Sequence, residues 1–171
     1  GYIDRTSKRV IESKFDEAYN FSEGLAIFKI KGNYGYIDRN GVMIIEPKYQ
    51  SLDRFSDGLA LVKITDKYGY IDKTGKVVIK PEYDGGVPFS EGLAKIIING
   101  NLGYVDKRGK IVIATECVYF EHNKFLDFSE GLAAVKINEK WGYIDKRGKL
   151  LIPVKYDYAD NFSGGLAAVR K

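Results

Sequence analysis

The sequence predicts an all-β protein built from five tandem repeats, each a small antiparallel meander. Two series of motifs support this prediction. Gly-Tyr-Ile/Val-Asp begins at Gly1, Gly35, Gly69, Gly103 and Gly142, and Phe-Ser-x-Gly-Leu-Ala begins at Phe21, Phe55, Phe89, Phe128 and Phe162. Both series recur every 34 residues, except for one interval of 39. A fixed period of this length is typical of repeat architectures.

The composition fits a globular chain and argues against several functional classes. Of 171 residues, 44% are hydrophobic and 29% are charged, with 27 Lys+Arg against 23 Asp+Glu. The single cysteine, Cys117, excludes a disulfide within the chain, and the single histidine, His122, argues against a histidine-based metal site or a Ser-His-Asp triad. No stretch approaches the roughly 18 apolar residues of a membrane span. We therefore expect no cofactor, no metal and no membrane span.

Each repeat is predicted to contain three strands, a, b and c, joined by two tight turns. In the last complete copy these are residues 132–137, 141–145 and 150–156. Turn-forming residues such as Asn138 link strands a and b as a hairpin. The b–c turn has the form Asp-x-x-Gly, in which the carboxylate can accept turn amides and Gly supplies a positive φ. Ser7 replaces this Gly in the first repeat, which should be the least regular.

Side-chain alternation indicates which faces are buried. Ala26, Phe28 and Ile30 share one face of strand a, and later repeats keep this pattern, which predicts a core face. Strand c carries continuous apolar runs such as 43–45 and 77–79, which predict an interior strand buried on both faces. The strand b tyrosines are expected to pack between repeats. These are Tyr2, Tyr36, Tyr70, Tyr104 and Tyr143.

After three antiparallel strands the chain has reached the end of the meander opposite to the one where an equivalent next repeat must begin. A further segment is therefore needed to bring the chain back. Residues 83–92 are the candidate in one repeat, and we expect them to be irregular. Units related in this way form a closed propeller-like array or an open β-solenoid. The closed array is favoured, because a hairpin split between residue 1 and residue 171 would fasten a ring. We expect a single domain of five units, approximately 1–33, 34–67, 68–101, 102–140 and 141–171.

The segment from Lys140 to Lys149, with the Ile-Pro and Phe-Ser-x-Gly-Leu-Ala elements that follow, resembles the bacterial WG (KWG) repeat family. The resemblance covers the whole chain. The family Trp is present only at Trp141, and the equivalent positions hold Tyr34, Tyr68 and Leu102. The resemblance implies a repeat scaffold, usually bacterial and commonly attached to other domains. It implies no catalytic residues.

The recurring polar residues are better explained by turns than by catalysis. Each turn aspartate stands alone, whereas a calcium loop needs several oxygens in one segment. The motif serines are expected to bond local backbone. Cys117 and His122 form the one nucleophile–base candidate, but Cys117 occupies an apolar packing position. We therefore predict no enzymatic activity, with a cysteine-dependent enzyme using Cys117 and His122 as the alternative.

Basic residues concentrate in the b–c turns and form a candidate anion-binding set. Acidic residues such as Glu23 are expected beside these turns and would neutralise them in part, which weakens the case for nucleic acid or another polyanion as the partner. The candidate residues are Arg5, Arg39, Lys73, Lys107, Arg108, Lys146 and Arg147.

The five-residue insertion in the fourth repeat supplies apolar side chains that have no position in the repeat pattern. Such groups either cover the local surface or anchor a partner. The candidate partner-binding residues are Tyr119, Phe120, His122, Phe125 and Leu126. The sequence thus predicts a non-enzymatic scaffold that binds a protein or glycan partner through its turns and this insertion. It leaves the compartment and the oligomeric state open.

Overall fold

The structure is a computed structural model that describes residues 1–118 and 126–171, without the side chains of 114–118. All regular elements in these residues are β-strands. They are β1 Tyr2–Ile3, β2 Arg9–Ile11, β3 Glu17–Ser22, β4 Leu25–Ile30, β5 Asn33–Ile37, β6 Met43–Tyr49, β7 Ser51–Leu52, β8 Ala60–Ile64, β9 Lys67–Ile71, β10 Val77–Tyr83, β11 Gly85–Gly86, β12 Leu93–Ile98, β13 Asn101–Asp106, β14 Ile111–Val118, β15 Leu132–Ile137, β16 Lys140–Asp145, β17 Leu150–Tyr156, β18 Tyr158–Ala159 and β19 Val169–Arg170.

The same strand order recurs from sheet to sheet. Three sheets have four strands, ordered β3-β4-β5-β6, β7-β8-β9-β10 and β11-β12-β13-β14, and one has three, β15-β16-β17. Two-stranded sheets, β1-β2 and β18-β19, complete the set. The predicted all-β fold of five repeats is confirmed. The open sheets fit both predicted arrangements, the propeller-like array and the β-solenoid.

The predicted return segment is more regular than expected, because part of it forms a short strand, here called the leading strand. It pairs antiparallel with strand a of its own sheet at the same register each time. Glu17 pairs with Lys29, Ser51 with Lys63, Gly85 with Ile97 and Tyr158 with Arg170. The return segment therefore adds a fourth strand to the meander.

Strand c is an edge strand, and the prediction that it is interior is wrong. In the sheet that contains β10, Val77 is 38% and Val78 40% exposed, whereas Ile79 is buried. Continuous apolar runs occur in strands buried on both faces, but here only one residue of each run is covered. Pro47 and Pro81 lie within strand c and were an available signal, because proline is largely confined to edge strands.

A bulge in strand c explains the glycine of the Gly-Tyr-Ile-Asp motif. Trp141 pairs with Tyr156 and Tyr143 with Ile152, so strand c holds extra residues opposite Gly142. A Cβ atom on Gly142 would lie 2.6 Å from the carbonyl oxygen of Ile152. Only glycine allows this close approach of two backbones.

The chain packs as two compact units, Gly1–Glu82 and Tyr83–Lys171. In the first unit, Ala26 and Phe28 are fully buried, which confirms the core face of strand a. The Tyr36 ring packs tilted on Phe55 at a centroid distance of 4.7 Å, and both belong to one cluster with Ile45 and Val62.

The second unit repeats this packing. Tyr104 lies edge-on to Phe128 at 5.1 Å, and Tyr143 lies edge-on to Phe162 at 5.0 Å. These two tyrosines donate their hydroxyls to backbone carbonyls 17 or 22 residues later: Tyr143 to Asp160 at 2.8 Å and Tyr104 to Leu126 at 3.0 Å. The prediction that the tyrosines serve as core packing is confirmed.

Candidate functional site

The b–c turns, which carry the candidate cations, are built around one aspartate each. The Asp72 carboxylate accepts the N–H groups of Thr74 and Lys76 at 2.9 and 3.1 Å, together with the Thr74 hydroxyl at 2.6 Å. Asp4, Asp38, Asp106 and Asp145 accept the equivalent two N–H groups in their own turns. The predicted turn role of these carboxylates is confirmed.

These bonds lower the pKa of several turn aspartates. For Asp72 the Thr74 hydroxyl is the main cause, and partial burial opposes it. The pKa of Asp4 is lowered mainly by the Thr6 hydroxyl, and that of Asp38 mainly by the Val42 N–H. The charged carboxylate is therefore the form that the turn favours.

The fourth residue of each Asp-x-x-Gly turn requires a left-handed backbone, as predicted. Gly75 has φ of 84°, and Ser7 has φ of 66° at the same position. A Cβ on Gly75 would also lie 3.3 Å from the Ile45 side chain of the preceding repeat. This glycine therefore serves both turn geometry and packing between repeats.

The Phe-Ser-x-Gly motif forms a second type of tight turn. Ser90 and Leu93 pair through both backbone bonds, with Glu91 at φ of 52° and Gly92 at φ of 86° between them. Two central residues of positive φ are typical of a type I′ turn. A glutamate in this conformation is strained, since non-glycine residues rarely adopt it.

Three motif serines bond the next motif and not their own turn, so the prediction that the motif serines bond local backbone is wrong for these three. The Ser22 hydroxyl donates to the Phe55 carbonyl at 2.7 Å, and Ser129 donates to the Phe162 carbonyl at 2.8 Å. Ser90 donates to Phe128 at 2.9 Å. In each case the acceptor is the phenylalanine of the next motif, so the bond connects successive repeats.

The motif acids also reach into the next repeat. The Glu91 carboxylate accepts the N–H groups of Glu130 and Gly131 at 2.6 and 2.9 Å. Glu130 in turn accepts those of Gly164 and Gly165 at 2.7 and 2.9 Å. Each of these acids thus holds the turn amides of the following motif, which compensates for its strained backbone.

Two of the candidate cations complete this arrangement. Lys73 lies 3.1 Å from the Glu23 carboxylate, and Lys146 lies 3.1 Å from that of Glu91. Both lysines also donate to the carbonyl of the same glutamate. The pKa of Glu91 is lowered: burial raises it, but turn amides and Lys146 outweigh that effect. These two lysines are therefore engaged with acids that precede strand a of the preceding sheet.

The remaining candidate cations lie on the surface. Arg5, Lys107, Arg108 and Arg147 are exposed. Arg39 is also exposed, with its guanidinium 5.9 Å from the centroid of the Phe21 ring. The b–c turns thus present arginine and lysine side chains to solvent even where one lysine is neutralised.

Exposed aliphatic side chains follow these turns directly. The first two residues of strand c are more than a third exposed in four repeats, beside the basic turn residues that precede them. These pairs are Met43 and Ile44, Val77 and Val78, Ile111 and Val112, and Leu150 and Leu151. Sequence reasoning missed this surface because it assigned strand c to the interior.

Most of the predicted insertion site falls outside the described residues. Tyr119, Phe120, His122 and Phe125 belong to that part of the chain. Leu126 is half-buried and packs against the cluster that contains Trp141 and Tyr143. The insertion as a binding site stays a prediction.

The Cys–His hypothesis is likewise untested, because His122 and the side chain of Cys117 are not described. In the described part of the chain, no group of three or more His, Cys, Asp or Glu residues could hold a metal ion. Nor do those residues include a helix long and apolar enough to cross a membrane.

The chain matches a family model described as a WG-containing repeat five times in tandem. The matched segments are residues 1–34, 34–68, 68–101, 103–141 and 141–171. No curated protein matches the chain.

Several solved structures are similar at low identity. A eukaryotic initiation factor has a TM-score of 0.54 at 12% identity, covering 90% of this chain and 49% of that chain. The WD40 β-propeller domain of Doa1 has a TM-score of 0.44 at 12% identity, with 83% and 55% covered. The extracellular domain of a putative one-component system from B. thetaiotaomicron has a TM-score of 0.46 at 11% identity, with 83% and 24% covered. The chain spans about a quarter to just over half of these proteins, and the similarity concerns the fold alone.

Proposed function

This chain belongs to the WG-containing repeat family, and we propose that it is a non-enzymatic scaffold that binds a protein partner through its b–c turns and the insertion in the fourth repeat. The turn cations are candidate partner contacts in this proposal, with Arg5, Arg39, Lys107, Arg108 and Arg147 exposed. The insertion residues are candidate anchors.

The observation that carries the proposal is the pairing of basic turns with exposed aliphatic residues. In the fourth repeat, the run Lys107-Arg108-Gly109-Lys110 leads directly into exposed Ile111 and Val112. Protein interfaces combine arginine with apolar side chains, whereas a surface that binds only polyanions needs no aliphatic residues. The expected partner surface is therefore acidic and partly apolar.

A co-purification experiment tests this proposal. Tagged parent protein is compared with the Arg108→Glu/Val112→Ser variant and with a third form that lacks five residues of 119–125. We expect both altered forms to remain folded and to lose the protein recovered with the parent. Lys31→Glu, which changes an exposed lysine of an a–b turn, should retain it. Equal recovery with all four forms would refute the proposal.

The alternative functions give different results in two further measurements. Retention on heparin that falls with salt and with Arg108→Glu, without any protein partner, would support polyanion binding instead. Rapid labelling of Cys117 by a thiol reagent in native buffer would support the cysteine-dependent enzyme. We expect slow native labelling and fast labelling in urea.

A further inference from the structure

A cleft of about 290 Å³ opens in the first unit between the first four-stranded sheet and the segment that begins the next. Tyr19 and Tyr34 line it together with Ile27 and the segment 50–53. Small-molecule sites in proteins typically measure about 300–1,000 Å³. The cleft therefore has the size of a site for a ligand of about one ring.

The aromatic side of the cleft is formed by two tilted rings. The centroids of Tyr19 and Tyr34 lie 6.4 Å apart at an interplanar angle of 47°. Tyr19 is 41% exposed. Its position, two residues before the motif phenylalanine, is occupied in the other repeats by Asp53, Val87, Leu126 and Asp160. The fold of a repeat does not require an aromatic residue here, so Tyr19 is a feature of this cleft.

A chain of polar contacts fixes the Tyr19 ring from the side. Its hydroxyl donates to the Glu17 carboxylate, which also binds Lys29 at 2.7 Å. The Lys29 ammonium lies 5.0 Å from the centroid of the Tyr34 ring. The Glu17 carboxylate is the main cause that raises the pKa of Tyr19 to about 12. The hydrogen bond to Glu17 therefore holds the Tyr19 ring in place.

Hydrogen-bonding groups also line the cleft. Gln50 and Ser51 are exposed, and Asp53 is half-buried with one carboxylate oxygen accepting the Arg54 N–H at 2.7 Å. These groups offer an amide, a hydroxyl and a carboxylate, of which the carboxylate accepts only. The lining residues of the cleft include the Asp53 carboxylate and no lysine or arginine, so they do not favour an anion.

We propose that this cleft binds a neutral carbohydrate, with the apolar face of one sugar ring against Tyr19 and its hydroxyls bonded to Gln50, Ser51 and Asp53. A sugar ring combines an apolar C–H face with hydroxyl donors around its edge, which matches a lining that holds both aromatic rings and acceptor groups. All the lining residues belong to the first unit, and this proposal does not depend on the proposed function.

Saturation-transfer NMR with separate monosaccharides and disaccharides tests this site. The probes are glucose, galactose, N-acetylglucosamine, maltose and cellobiose at millimolar concentration, with adenosine and glucuronate for comparison. The proteins are the parent, Tyr19→Ala, Tyr19→Phe and Gln50→Ala. Tyr158→Ala is the matched control, since Tyr158 is an exposed tyrosine of another leading strand.

We expect at least one neutral sugar to bind the parent and Tyr158→Ala equally. Tyr19→Ala should weaken that binding roughly tenfold through loss of the aromatic face. Gln50→Ala and Tyr19→Phe should weaken it less, because Tyr19→Phe keeps the ring and loses only its bond to Glu17. Circular dichroism confirms that each variant is folded. Absence of binding by all five neutral sugars, equal binding by Tyr19→Ala, or preference for adenosine or glucuronate would overturn the proposal.

Discussion

Single residues in the b–c turns decide the geometry of each hairpin. One carboxylate, such as that of Asp72, holds the N–H groups two and four residues later, while a residue of positive φ closes the turn. These contacts are local in the chain, and the spacing Asp-x-x-Gly was therefore sufficient to predict them. The contact of Gly75 with Ile45 joins different repeats and could not be read from that spacing.

Gly75→Ala should destabilise the protein more than Gly32→Ala. Both glycines have φ near 84°, so both variants force a Cβ into the left-handed region at about 1 kcal/mol or more. Only at Gly75 does the new Cβ also press on Ile45, since nothing lies within 4 Å at Gly32. Urea unfolding measures the difference, and equal losses would show that the Ile45 contact carries no energy.

Ser7→Gly should stabilise the protein slightly, by at most about 1 kcal/mol. The substitution relieves a non-glycine residue at φ of 66°, and part of the gain is offset by the greater freedom of glycine in the unfolded chain. Thermal unfolding of the two proteins measures the change. A lower melting temperature for the glycine variant would contradict the strain assigned to Ser7.

The stabilising effect of Asp72 should disappear in acid. Its folded pKa lies below the unfolded value of about 3.9, so its contribution is present above that pH and is lost as the pH falls through the lowered folded pKa. The stability gap between the parent and Asp72→Ala should be constant between about pH 5 and 7 and should narrow below about pH 4. Asp66→Ala, which removes a carboxylate exposed to 91%, is the control and should change little. A gap independent of pH would rule out the carboxylate as its cause.

At the level of elements, Phe-Ser-x-Gly turns within each unit are tied to the next such turn, from Glu23 to Gly58 in the first unit and from Glu91 to Gly131 and Glu130 to Gly165 in the second. Glu23 and Glu91 also bind a lysine in the b–c turn of the following sheet, Lys73 and Lys146 respectively. The recurrence of an acid in this motif was visible in the sequence, but its partner lies more than 30 residues away. Exposure of strand c was missed for a similar reason, because it depends on which neighbouring element covers the strand.

Glu91→Ala should cost about 1–2 kcal/mol, because two N–H groups of the next turn lose a charged acceptor. Alanine keeps the Cβ and therefore the same backbone strain. In a double-mutant cycle with Lys146→Met, the coupling should be no more than about 1 kcal/mol, since the pair is partly exposed. Glu46→Ala, an exposed acid of strand c, is the control. A loss no greater than that of the control would contradict the assigned role of Glu91.

In the molecule as a whole, the five-repeat all-β organisation could be predicted because the two sequence motifs recur at a nearly constant period. The fourth strand of each complete meander could not, since its two-residue pairings, such as Ser51–Leu52 with Val62 and Lys63, carry little pattern of their own. Nor could the Tyr19 cleft, which brings together residues from positions 19, 34 and 50–53. Contacts between repeats are thus the part of the structure that the sequence pattern leaves undetermined.

Hydrogen bonds between successive motifs should stabilise the fold, and two serine substitutions give the sharpest test of this claim. Ser129 and Ser163 occupy equivalent turns with the same backbone pairing, but only Ser129 is followed in this chain by another Phe-Ser-x-Gly motif, whose Phe162 carbonyl it binds. In urea unfolding, Ser129→Ala should lose about 1 kcal/mol, whereas Ser163→Ala should stay within about 0.5 kcal/mol of the parent. Equal losses for the two variants would contradict the claim.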